Sequence, residues 1–169
     1  MAPANEVGAR DKRRRELGER KKAQAEREAS VVWQGDLLNG TGTIETVTSG
    51  ALGGLPVSWP SRSGAANGQT SPEELLAAAH AACFAMAFSH ELTGAGSAPE
   101  RLEVSARVGF DPKVGGGFEV SFSRLTVRGS VPGMDAAAFE KAARSASEGC
   151  PISQALKGNV EVTVHPTLG

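Results

Sequence analysis

The 169-residue sequence predicts an α+β domain, and three observations carry that prediction. Short β-type runs crowd the segment before residue 60, one long apolar stretch with helix punctuation fills 71–92, and a cleanly alternating pair of runs follows at 101–127. Read in order, the elements are β-β-β-α-β-β-α-α-β, which is not the regular alternation of a parallel-sheet fold.

Val31-Val32-Trp33 and the run from Thr41 to Thr48 flank the turn signal Asn39-Gly40, and together they predict a hairpin. A third run, Leu55 to Trp59, ends at Pro60, and 61–70, with Gly64, Asn67 and Gly68, reads as a polar loop. Ser71 can cap the helix that follows, Pro72 suits its first position, and Glu74 completes a Ser-x-x-Glu capping box. From Leu75 to about Leu92 this helix shows no polar face until His90 and Glu91. A helix apolar all round is buried on most sides. In so small a domain that means a sheet on one side and protein on the other, or a subunit interface.

Leu102, Val104, Ala106, Val108 and Phe110 alternate with Glu103, Ser105 and Arg107, the pattern of a strand with one wet face. Gly115-Gly116-Gly117 turns the chain into Phe118, Val120 and Phe122. Leu125 and Val127 continue on the opposite parity, which predicts a bulge near Ser123–Arg124. Asp135 caps a second helix over about 136–147, with Phe139, Ala142, Ala143 and Ala146 at helical spacing. Gly149 ends it, a short helix starts at Pro151, and Val160, Val162 and Val164 form a last strand.

The length fits one domain over 31–169 preceded by a charged, flexible tail over 1–30. Residues 1–30 carry nine Lys/Arg against six Asp/Glu, a net of +3, while the remainder carries −4. Leu17 is the tail's one large apolar residue after Met1, so the segment has too little to bury to fold alone. No aromatic side chain interleaves its basic clusters, which argues against nucleic-acid binding. No run is apolar for the roughly 18 residues of a membrane span, and the first residues lack a charged-then-apolar secretory pattern. A cytoplasmic protein with reduced or cycling thiols is the expectation.

The chain has two cysteines. Cys83 lies mid-helix among Ala, Phe and Met, and Cys150 stands directly before Pro151. Such a pair can be a staple, two inert core residues, or a reacting thiol beside one that rescues it. Local context alone makes Cys150 the more acidic thiol, because it precedes a helix, whereas desolvation should raise Cys83. Two cysteines without a close-spaced second ligand pair give no zinc pattern. His80 shares a helix face with Cys83, but its expected role is a core or interface histidine bonded to backbone. His90 and His165 read as surface residues.

Three segments then carry a specific resemblance: Trp33-Gln34-Gly35-Asp36-Leu37, Thr70 through Phe84, and Cys150-Pro151-Ile152-Ser153-Gln154-Ala155-Leu156. Together they resemble the OsmC/Ohr family of thiol-dependent peroxidases over about 31–168. Histidine at 80 and isoleucine at 152, where the Ohr branch usually has tyrosine, bring the sequence nearer the OsmC branch. The resemblance implies antiparallel sheets around a long buried central helix, in an intertwined homodimer with sites at the subunit interface. It implies reduction of organic hydroperoxides in oxidative-stress defence, with no bound cofactor and a lipoyl-type dithiol or lipoylated protein as electron donor. By position, Cys83 resembles the peroxidatic thiol, Cys150 the resolving one, Arg62 the activating arginine and Glu73 the carboxylate that orients it.

Ten residues of helix rise about 15 Å, so Glu73 and Cys83 of one chain cannot both reach one guanidinium. A triad would need Glu73 beside the partner's Cys83. Phe84, Met86, Phe88 and Trp59 are the expected apolar lining for the alkyl group of the substrate. The alternative of a different class is a non-catalytic stress protein that holds a lipid-like ligand in the same pocket.

Overall fold

The computed structural model describes residues 23–169. The tail expected over 1–30 therefore falls, for residues 1–22, outside the described residues. Strands β1 (Ala29–Gln34), β2 (Thr41–Val47) and β3 (Leu55–Ser58) form one antiparallel sheet in that order. Gln34 pairs with Thr41, so the hairpin closes over residues 35–40 and not over a two-residue turn. Asp36 explains the longer connection. Its carboxylate accepts the amides of Leu38 and Asn39 at 2.9 and 3.0 Å, and its carbonyl accepts the Gly40 amide at 2.8 Å.

Strand β3 stops one residue short of Trp59, because Ser58 caps a short helix α1 (Trp59–Ser63) through a reciprocal capping box with Ser61. Pro60 thus sits inside the first turn of a helix, where its missing N–H costs nothing, and does not end a strand. The consequence is functional: Arg62 stands on a helix, not in a loop.

Helix α2 (Pro72–Gly94) begins at Ser71, whose hydroxyl accepts the Glu74 amide at 3.2 Å. The other half of the expected capping box is missing, since the Glu74 carboxylate takes the Thr70 hydroxyl instead, at 2.9 Å. Glu73, His80, Phe84, Phe88 and Leu92 are its buried residues, and the last four, spaced by four, make one stripe. The opposite face, with Ala78, Ala79, Ala82 and Met86, is exposed in the single chain. Over its full 23 residues α2 is long and apolar enough to cross a membrane, contrary to the expectation from shorter runs. Its buried stripe nevertheless belongs to the domain core.

The second sheet contains β4 (Arg101–Pro112), β5 (Phe118–Ser130) and β6 (Glu161–Leu168) in that order. β4 and β5 pair antiparallel, but β5 and β6 pair parallel. Helices α3 (Ala136–Gly149) and α4 (Pro151–Leu156) supply the crossover that a parallel return requires. Val108 faces Ser123 while Phe110 faces Val120, so the bulge lies at Ser121–Phe122, two residues before the expected place. Gly109 opposite makes this possible, since the Phe122 ring occupies the space where a Cβ would stand.

Leu125 and Val127 of β5, the α2 stripe, and Phe139, Ala143 and Ala146 of α3 form the core. The close packing extends to the backbone of Gly129, where a Cβ would lie 2.7 Å from the Phe139 ring and 2.9 Å from Leu102. Gly129→Ala is therefore expected to lower stability by roughly 1–3 kcal/mol, the usual cost of overpacking. Urea unfolding measures it, and a midpoint equal to wild type would contradict this packing.

Candidate active site

The four candidate catalytic residues form two pairs, built by different parts of the chain. The first is the thiol pair. Cys83 sits half-way along α2, and Cys150 lies at the junction where α3 ends and α4 begins, fully buried. Both are free thiols, and their sulfurs are 3.3 Å apart, with Cys150 placed to donate to Cys83. Helix packing closes this distance: the alanines of α2 and α3 let the two helices approach, and Pro151 turns the chain so that Cys150 faces α2.

The electrostatics of the pair are uneven. Burial pushes the Cys83 thiol above its ordinary range, and the Ile152 amide only partly offsets this. Burial acts on Cys150 too, but the amide and hydroxyl of Ser153, with help from Cys83 and the Ile152 amide, outweigh it. The net effect lowers Cys150. Within one chain the more acidic sulfur is Cys150, as the local sequence indicates.

The second pair is Arg62 and Glu73. The guanidinium donates through Nη2 to Oε1 at 2.8 Å and through Nε to Oε2 at 3.1 Å, a two-pronged contact that fixes its plane. Glu73 is buried. The guanidinium also lies over the Phe110 ring, 4.3 Å from its centre. Phe110 stacks on Phe118 at 4.9 Å, and Trp59 meets both edge-on, at 6.0 and 5.2 Å. Arg62 is thus held between a carboxylate and an aromatic wall. Because Glu73 is about 15 Å of helix rise from Cys83, this clamp and the thiol pair of the same chain remain separate.

An open cavity of about 380 Å³ leads to Cys83, with Met86 and Ala87 on the α2 side and Ala146, Gly149 and Pro151 opposite. A larger hollow of about 580 Å³ near His90, Glu100 and Arg101 contains no thiol, so the smaller one is the relevant space. Of the four expected lining residues, Met86 borders the cavity and is 69% exposed. Phe84 and Phe88 require correction. Both are fully buried, and Phe88 packs edge-on against Phe139 at 5.0 Å, so they belong to the core. They follow His80 at intervals of four, which places them on the inner stripe and not beside Cys83. Trp59 lies with Arg62, away from the thiols of its own chain.

His80 is in the core, as expected, but its partners differ. It is fully buried and bonds no backbone group; its Nδ1 meets the Ser123 hydroxyl and its Nε2 the Ser153 hydroxyl, each at 2.8 Å. Desolvation lowers its pKa, which favours the neutral ring. The sequence shows Phe110, Phe118, Ser123 and Ser153 only as strand, bulge or motif positions, not as neighbours of the candidate site residues. Ser153, at the third position of a helix that follows a cysteine, was the one with a legible signal. Among the described residues, no group of three or more His, Cys, Asp or Glu side chains is placed to hold a metal ion.

A model of the family described as OsmC-like protein matches residues 64–165, which include Glu73, both cysteines and most of the second sheet. The chain belongs to the OsmC family. Peroxiredoxin OsmC of Escherichia coli is 42% identical over 128 residues, covering 76% of this chain and 87% of that protein. An organic hydroperoxide resistance protein of Xanthomonas axonopodis pv. citri is 37% identical over 114 residues, covering 64% and 75%. Among solved structures, an OsmC organic hydroperoxide resistance protein from Legionella pneumophila superposes with a TM-score of 0.65 at 27% identity, covering 86% of this chain and 99% of that one. OhrB of Bacillus subtilis gives 0.62 at 29% identity, covering 83% and 98%. These OsmC relatives support a peroxidase role, and the α+β fold with a long central helix is theirs.

Proposed function

We propose that this protein reduces organic hydroperoxides to alcohols by a two-cysteine cycle. Cys83 thiolate attacks the peroxide oxygen, releases the alcohol and becomes a sulfenic acid. Cys150 then displaces water from that sulfur to give a Cys83–Cys150 disulfide, and an external dithiol of the lipoyl type exchanges the disulfide open. The observation that carries the reading is the 3.3 Å sulfur separation, which allows disulfide closure with little movement.

The raised Cys83 thiol is the difficulty, and a homodimer resolves it. The exposed alanine face of α2 and the exposed Val31, Val32 and Trp33 of β1 offer apolar surface for a second copy. In such a dimer the Arg62–Glu73 clamp of one subunit stands beside the partner's thiol. It supplies the cation that favours thiolate and the donors that receive the departing alkoxide. The cavity beside Cys83 and the Trp59, Phe110 and Phe118 wall then take the alkyl group. A reducing cytoplasm would keep both cysteines as thiols between turnovers.

One equivalent of cumene hydroperoxide should remove both thiols per chain, and dihydrolipoamide should restore them. Slow loss of thiols, or none, together with tight retention of a fatty acid, would favour a lipid-binding protein instead.

A further inference from the structure

The bulge in the second sheet brings two aromatic rings to Arg62. Val108 pairs with Ser123, and continuing that register would set Phe110 against Ser121 and turn Phe118 to the opposite face of the sheet. The extra residue on β5 instead sets Phe110 against Val120 and Pro112 against Phe118. Phe110 and Phe118 therefore rise from one face and stack at 4.9 Å. Glu73 takes Nε and Nη2 of the Arg62 guanidinium, at 3.1 and 2.8 Å, while the carbon of that group lies over the Phe110 ring at 4.3 Å. The carboxylate fixes one edge of the guanidinium, and the ring limits how far the group can tilt. Among the described residues, Nη1 makes no hydrogen bond, and the side chain is 32% exposed. That nitrogen is the donor left for an incoming group.

We propose that Phe110 is a positioning residue for Arg62: its ring completes the clamp that Glu73 begins and so keeps the Nη1 protons aimed at the peroxide on the Cys83 sulfur across the subunit interface. This role rests on the two-cysteine reading and on its paired subunits. In the step it serves, the Cys83 S–O bond forms and the peroxide O–O bond breaks. The sulfur is oxidised and the peroxide reduced to an alkoxide, which takes a proton from water while Arg62 keeps its own. A donor stabilises that developing charge most when it is already in place. The attraction between a cation and a ring face is electrostatic, so it depends on the aromatic quadrupole and not on apolar bulk alone.

The three aromatic residues divide the work. Phe118 stacks on one face of the half-buried Phe110 ring, and sterics leave Arg62 only the other. Phe110 thus has both faces taken before a substrate arrives. Phe118 is exposed and Trp59 half-buried, each meeting the other edge-on at 5.2 Å, and these two remain for the alkyl group. Loss of the Phe110 quadrupole should accordingly slow the chemical step and leave peroxide affinity nearly unchanged. A residue that only lined the pocket would show the reverse.

Single-turnover stopped-flow oxidation of the full-length protein by cumene hydroperoxide reads both quantities. Phe110→Leu keeps apolar bulk and removes the quadrupole. Its limiting rate should fall about tenfold, with the half-saturating peroxide concentration within about twofold of wild type. Phe110→Tyr restores the ring face and should recover most of the rate. Arg62→Met is the reference. If it is as fast as wild type, the role of Arg62 at Cys83 fails and that of Phe110 falls with it. If Arg62→Met is slow while the limiting rate of Phe110→Leu matches wild type, or while Phe110→Tyr is as slow as Phe110→Leu, the positioning role alone is overturned. Should the Phe110 variants fail to fold, nuclear magnetic resonance of the Arg62 guanidinium in the wild-type protein decides it without any peroxide. Resolved Nη protons shifted by the ring current are expected, and unshifted, freely rotating ones refute the clamp.

Discussion

Cys83→Ser protein is expected to consume no alkyl hydroperoxide, and Cys150→Ser protein to react once and stop as a Cys83 sulfenic acid. The expectation runs against the acidity of the two sulfurs within one chain, where burial raises Cys83 and Ser153 helps lower Cys150. Acidity alone would make Cys150 the attacker. Access decides otherwise: Cys150 is fully buried behind α4, whereas Cys83 borders an open cavity. In the proposed dimer the missing cation is Arg62 of the second subunit, so Arg62→Met should slow Cys83 oxidation by about 10²–10³-fold, the usual effect of losing one charge-stabilising donor. Mixing Cys83→Ser with Arg62→Met subunits sharpens the test. If the clamp acts across the interface, random dimers recover about a quarter of wild-type sites. No recovery after subunit exchange, or Arg62→Met as fast as wild type in stopped-flow assays, would remove the cross-subunit site.

Much of this was legible in the sequence because its signals are short-range. Ser71-Pro72 announced α2, Asp135 announced α3, and the alternation from Leu102 to Phe110 fixed the wet and dry faces of β4. The failures share a cause, since each depended on partners distant in the chain. Pro60 ended a strand on local grounds, but Ser58 and Ser61 recruited it into α1. The bulge moved to Ser121–Phe122 because the Phe122 ring needs the bare backbone of Gly109. The parallel return of β6 follows from the path of two helices, which no residue pattern within β6 states. His80 shows the limit most clearly, because its two serine partners lie 43 and 73 positions away.

Phe88→Ala should cost about 3–5 kcal/mol of stability, as expected for truncating a fully buried aromatic residue. Its ring contacts Phe84 and Phe139 and lies on the stripe of α2 that faces the second sheet and α3. The effect on peroxide selectivity should be small by comparison. Trp59→Ala is the informative contrast. Trp59 is half-buried against Phe110 and Phe118 beside Arg62, so its loss should spare most of the stability and raise KM for bulky hydroperoxides several-fold, leaving small ones less affected. Urea unfolding and kcat/KM for tert-butyl and cumene hydroperoxide separate the two residues. Wild-type stability with altered peroxide preference in Phe88→Ala would return that residue to the pocket. It would also mean that α2 turns a different stripe toward the core, which would move Cys83 away from Cys150 and remove the short sulfur separation on which the cycle depends.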